Sequence, residues 1–103
     1  MLSRICRVEE LPEGAVRREV VEGRHIAVAR HRGAVHGFGA ICPHQRQDLS
    51  EGFIADDGIT CDSHLWHFRF SDGKCALIPE ASIPIFPARE VDGWVVVDLS
   101  PAS

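Results

Sequence analysis

Lysine is almost missing from this 103-residue chain: Lys74 stands alone among eleven basic residues, and the formal net charge is −4. A nucleic-acid binder normally shows a clustered basic face, so that class is set aside. Long apolar runs are missing as well. The opening MLSRICRVEELPEG carries Arg4, Arg7, Glu9 and Glu10, too many charges for a signal peptide or a membrane span. The expectation is a cytoplasmic protein with no membrane partner. No repeat, linker or low-complexity segment divides the chain, and its length suits one domain over residues 1–103 that buries about two-thirds of its unfolded surface. In a reducing compartment its four cysteines are expected as thiols or metal ligands, not as a disulfide framework.

Helical periodicity is also scarce. RHIAVARHR (24–32) places Ile26 and Val28 in alternation, EVDGWVVVD (90–98) is a β-branched run after an Asp-Gly turn, and AVRREVV (15–21) is a shorter candidate strand. Turn signals recur at Glu13-Gly14, Glu22-Gly23, Arg32-Gly33, Asp57-Gly58, Asp72-Gly73 and Asp92-Gly93, while Pro79, Pro84 and Pro87 exclude a long helix near them. The pattern predicts an all-β fold. Strands before Gly39 and after Pro84 form an antiparallel β-sandwich, and a small subdomain of about residues 40–84 is inserted between them. One short helical turn is expected within QRQDLSEG (45–52).

The inserted segment concentrates both acids and metal-ligand types. Asp48, Glu51, Asp56, Asp57, Asp62, Asp72 and Glu80 are either a solvated loop surface or an acidic docking face for a basic partner. AICPHQRQDLSEG (40–52) holds Cys42-Pro43-His44, and sixteen residues later CDSHLW begins with Cys61-Asp62-Ser63-His64. Structural zinc sites usually draw a cysteine pair from one knuckle and a histidine pair from another. Here each loop offers one of each. One intervening residue in an extended segment leaves Cys42 and His44 about two strand rises apart, which suits neighbouring irons better than one tetrahedral ion. Two thiolates on one iron and two imidazoles on the other is the ligation of a Rieske [2Fe–2S] centre, with zinc as the competing reading.

CPHQRQDLSEGF and CDSHLWHF resemble the two cluster-binding loops of soluble Rieske ferredoxins, and the CPHQ, LSEG and ITC..HLW elements are most similar to ferredoxins of toluene-type monooxygenase systems. The likeness runs from about Ala40 to Phe70. It implies the Rieske iron–sulfur fold and one [2Fe–2S] cluster per chain. Cys42 and Cys61 would bind the inner iron, and His44 and His64 the outer, redox-active iron at the surface. LIPEASIP (77–84) stands where the family has a proline-containing cover loop, so Pro79 and Glu80 would shield the cluster.

What the loops lack sets the expected potential. High-potential relatives carry an extra cysteine in each loop and hydroxyl donors to the cluster sulfurs. This chain has Gln47 and Ser63 at the cysteine positions, and Leu65, Trp66, His67 and Phe68 at the donor positions. Fewer hydrogen bonds to sulfur place the potential near about −150 mV, against about +300 mV for the high end of the class. At about 59 mV per tenfold that gap is between about seven and eight powers of ten, which disfavours a quinol donor. The potential is also expected to fall as pH rises through the titration of the ligand histidines.

Remaining residues have plainer readings. Cys6 and Cys75 are expected as small core residues on strands. His25, His31 and His36 lack metal spacing and are expected on the surface or on strands. His67 is either a partner of a ligand residue or a solvent-facing strand position. Trp66 either packs beneath the cluster or meets a redox partner, and Trp94 is expected as a core or half-buried sheet residue. The resemblance implies a carrier, expected as a monomer, that catalyses no bond chemistry alone and shuttles single electrons from an NAD(P)H-dependent flavin reductase to a terminal oxygenase. The alternatives are the ferredoxin of a ring-hydroxylating dioxygenase, the small subunit of a nitrite-reductase-like enzyme, and a zinc-binding module.

Overall fold

The computed structural model describes residues 2–43, 48–62, 65–78 and 80–99. Ten strands follow one another: β1 Leu2–Arg7, β2 Val16–Val21, β3 Arg24–His31, β4 Ala34–Gly39, β5 Phe53–Ala55, β6 Gly58–Thr60, β7 His67–Arg69, β8 Ile85–Phe86, β9 Ala88–Val91 and β10 Trp94–Asp98. They form three antiparallel sheets, ordered β1-β10-β9, β2-β3-β4-β8 and β5-β6-β7. The fold is all-β, as the turn spacing predicts. The third sheet lies wholly within the expected insertion.

Three hairpins turn where an acid or arginine precedes glycine. Glu22-Gly23, Arg32-Gly33 and Asp92-Gly93 each have positive φ at both residues, and the flanking pairs Val21↔Arg24, His31↔Ala34 and Val91↔Trp94 leave two-residue loops. This is the turn geometry that matches strand twist. Asp57-Gly58 departs from the expectation. Ala55 pairs with Gly58, so the turn residues are Asp56 and Asp57, with Asp56 at φ 50, and Gly58 opens β6. A side chain at Gly58 would meet the Phe68 carbonyl of the neighbouring strand, so close backbone approach is what demands glycine there. The expected helical turn is a 3-10 turn at Leu49–Glu51, capped by Asp48, whose carboxylate accepts from the Ser50 N–H at 2.9 Å. Residues 45–47 lie outside the described residues.

β3 runs through the middle layer. Ile26 and Val28 join Ile5, Cys6, Leu11, Phe86, Val95 and Val97 in the core of the sandwich. The intervening Ala27 and Ala29 join Phe38, Cys42, Leu49, Ile59, Cys61 and Phe68 in a second core, under the insertion. One strand therefore serves two cores with its two faces, large residues on one and alanines on the other. The sequence alternation signalled only the first of these. β2, at the sheet edge, is exposed along Arg17, Arg18 and Glu19, the charged character that discourages edge pairing.

Candidate metal centre

Each cysteine of the two loops sits at the root of a closed turn. Cys42 follows β4 directly beyond Ile41, which bridges back to Asp48, and the Leu49 N–H donates to the Ala40 carbonyl at 2.7 Å. Cys61 follows β6, its N–H donates to the Trp66 carbonyl at 2.7 Å, and its own carbonyl accepts from Leu65 N–H at 3.0 Å. Leu65 makes this return with φ 60. Both cysteines are buried, at 0% and 1% exposure, and both belong to the core group under the insertion.

His44 and His64, together with Gln47 and Pro79, lie outside the described residues. Of the four expected donors, the described residues include the two cysteines. Cys42 and Cys61 are both buried in one core group of aliphatic and aromatic side chains, surroundings that fit soft thiolate ligation of iron. Cys75 is buried in the same core group as Cys42 and Cys61, at 1% exposure, and Cys6 is buried in the sandwich core on β1. Burial pushes the Cys6 thiol above its ordinary range, a group kept protonated and unreactive.

Around these roots, Trp66 is half-buried against the same core group, its ring 6.4 Å from Phe68 and tilted by 50°. Glu80 is exposed, as are Leu65, Leu77 and Ile78. His67 is held on both sides. Its Nδ1 lies 2.9 Å from Thr60 Oγ1 and its Nε2 lies 2.8 Å from Asp57 Oδ1. The hydrogen bond from His67 holds the Asp57 carboxyl below the usual carboxylate range.

The chain matches the Rieske [2Fe–2S] domain profile over residues 2–87. It belongs to the Rieske [2Fe–2S] family. The Rieske chain is 29% identical over 98 residues to the ferredoxin component of an alkene monooxygenase system of Xanthobacter autotrophicus, covering 94% of this chain and 80% of that protein. It is 32% identical over 94 residues to the anthranilate 1,2-dioxygenase ferredoxin subunit of Burkholderia cepacia, covering 89% and 86%. Among solved structures, it superposes with a TM-score of 0.87 and 25% identity on a Mycobacterium tuberculosis protein assigned as the small subunit of an NADH-dependent nitrite reductase, covering 94% and 93%. A Rieske-type [2Fe–2S] cluster is accordingly the cofactor of this chain.

Two sets of contacts were not legible beforehand. Thr60 and Asp57 become partners of His67 only because β6 and β7 pair Thr60 with His67. His31 and His36 reach across from the sandwich: the His31 ring nitrogen meets the Asp56 carbonyl, and the His36 ring stacks on Phe70 at 4.3 Å and 8°. With Arg32 and Asp57 they line an open cavity of about 370 Å³. Burial, and then the neighbouring His31, pull the His36 pKa below the ordinary histidine value. Among the described residues no helix is long and apolar enough to cross a membrane.

Proposed function

We propose that this Rieske protein is a cytoplasmic single-electron carrier that links an NAD(P)H-dependent flavin reductase to a terminal oxygenase and catalyses no bond chemistry alone. The observation that carries the reading is the pair of buried cysteines at the roots of two closed loops. In it, one Rieske domain spans residues 1–103, and about residues 40–84 form the unit that holds the cofactor. Cys42 and Cys61 supply thiolates, and His44 and His64 supply imidazoles. When bound, the cluster supplies a one-electron couple. The remaining work belongs to the polypeptide. The strand-bound cysteine roots fix the loops, the surrounding aliphatic and aromatic residues exclude water from the thiolates, and a small contact face lets the partner leave after each electron. The names of the two ferredoxin relatives, both parts of oxygenase systems, support the oxygenase as acceptor.

A second reading is favoured by the structural likeness to the nitrite reductase small subunit. There the chain would be a fixed subunit and not a diffusing carrier. Purification decides between the readings. The carrier is expected as a monodisperse monomer that restores NAD(P)H-driven turnover when mixed with a reductase and an oxygenase. Co-purification with a reductase core would favour the second.

The cofactor assignment has a direct test. The purified protein is expected to be coloured, to contain iron and acid-labile sulfide, and to show the low-average-g electron paramagnetic resonance signal after dithionite reduction. Replacing Cys42, His44, Cys61 or His64 by alanine is expected to abolish that signal. A colourless protein containing zinc would sink the reading.

A further inference from the structure

The cavity of about 370 Å³ opens between the tip of the β3–β4 hairpin and the turn that joins β5 to β6. None of its lining residues belongs to either cysteine loop. Its volume lies in the range of small-molecule sites, which favour the seams between packed units. One wall is an aromatic stack. The His36 and Phe70 rings lie 4.3 Å apart at 8°, and Phe38 backs Phe70 from the core at 5.7 Å. Burial, with His31 adding to it, holds the His36 pKa below the ordinary histidine value, so this ring is a flat, uncharged surface at neutral pH.

The polar groups at the rim are weighted towards acceptors. Asp57 gives one carboxylate oxygen to His67 at 2.8 Å, and that hydrogen bond keeps it ionised. Its other carboxylate oxygen and the Asp56 carboxylate have no ion-pair partner among the described residues. Asp56 is anchored through its backbone instead, because its carbonyl accepts the His31 Nε2–H. Against the two carboxylates stands Arg32 at the hairpin tip. Behind Arg32, the Glu13 carboxylate accepts its backbone N–H at 2.6 Å and adds a further negative charge. An apolar ring surface beside an excess of carboxylate oxygen calls for an occupant that is flat, positive and rich in N–H.

We propose that this cavity binds an aromatic cation bearing N–H donors, of the aryl amidinium kind, with its ring on the His36–Phe70 stack and its N–H groups on Asp56 and Asp57. The ring contributes contact area and the two acids contribute charge-assisted hydrogen bonds. Such an occupant touches the sandwich through His36 and the insertion through Asp56, Asp57 and Phe70, so it clamps one to the other and stabilises the fold by mass action. The site is independent of the electron-carrier reading, since it uses no residue of the cysteine loops.

Benzamidine is the probe, and benzoate, with the same ring and the opposite charge, is the control. Each is titrated into the cluster-loaded protein by calorimetry and by melting temperature. Benzamidine is expected to bind with a dissociation constant of about 1 mM and to raise the melting temperature with its concentration, while benzoate leaves both readouts unmoved. Asp56→Asn keeps the carbonyl that holds His31, and asparagine tolerates the φ of 50 at this position. Loss of that one charge is expected to weaken benzamidine about fivefold. Arg32→Asn, at φ 54, removes the opposing cation and is expected to strengthen it about twofold. No binding of benzamidine to the wild type, benzoate binding as tightly as benzamidine, or an unchanged affinity in Asp56→Asn overturns the proposal. Should Asp56→Asn fail to fold, an affinity in Arg32→Asn that is equal to or weaker than that of the wild type overturns it equally.

Discussion

A single methyl group at Gly58 would collide with the Phe68 carbonyl, although Gly58 has ordinary strand geometry. Gly58→Ala is therefore expected to force β6 and β7 apart, at a cost of about 1–3 kcal/mol read from the urea midpoint. The same residue marks a limit of reading sequence. Asp-Gly is a turn signal because glycine tolerates positive φ, but the register moved the turn back onto Asp56-Asp57 and left glycine as a spacer between backbones. Cysteines 42 and 61 stood out for the opposite reason, on spacing and residue type, which folding does not alter, and both are buried. Thr60 carried no such mark, since its partner depends on strand pairing. Glu13 is similar. Its carboxylate accepts from the backbone N–H groups of Arg32 and Gly33 at 2.6 and 2.9 Å, bonds that hold its pKa below the ordinary value.

At the scale of elements, β3 and β4 present one face to the sandwich core and the other to the insertion. The strands at 15–21, 24–32 and 90–98 were readable from alternation and turn residues, whereas the second core was not, because Ala27 and Ala29 look neutral until something covers them. The junction is reinforced by His31 on Asp56 and by His36 on Phe70. Its pH response follows from the depressed His36 pKa. A base whose folded pKa lies below its unfolded one leaves the unfolded chain binding more protons, so stability is complete above the unfolded value, about 6.5, and declines as pH falls below it. The melting temperature is expected to drop between about pH 6.5 and 5, before the carboxylates titrate. His36→Phe keeps the stacked ring and removes the proton site, so its melting temperature should be flatter over that interval. Equal slopes for the two proteins would place the titration elsewhere.

For the molecule as a whole, charge is divided unevenly. Residues 40–84 hold seven acids and three basic residues, which accounts for the entire formal charge of −4, while the rest of the chain balances eight against eight. In the proposed carrier role, this uneven charge steers the chain toward a positive partner. The second-order rate of electron transfer to such a partner is expected to fall about tenfold between 50 and 500 mM salt, as measured by stopped-flow absorbance. A rate independent of salt would mean that the acids are solvation alone.

The pairing of β1 with β10 sets Leu2 opposite Asp98. During synthesis the first strand must wait for nearly the whole chain before its partner emerges, because loop closure over that separation comes late. Both cysteine-bearing loops leave the ribosome earlier. Residues 40–84 thus emerge while the β1–β10 pair is still open, and the terminal strands close the sandwich last.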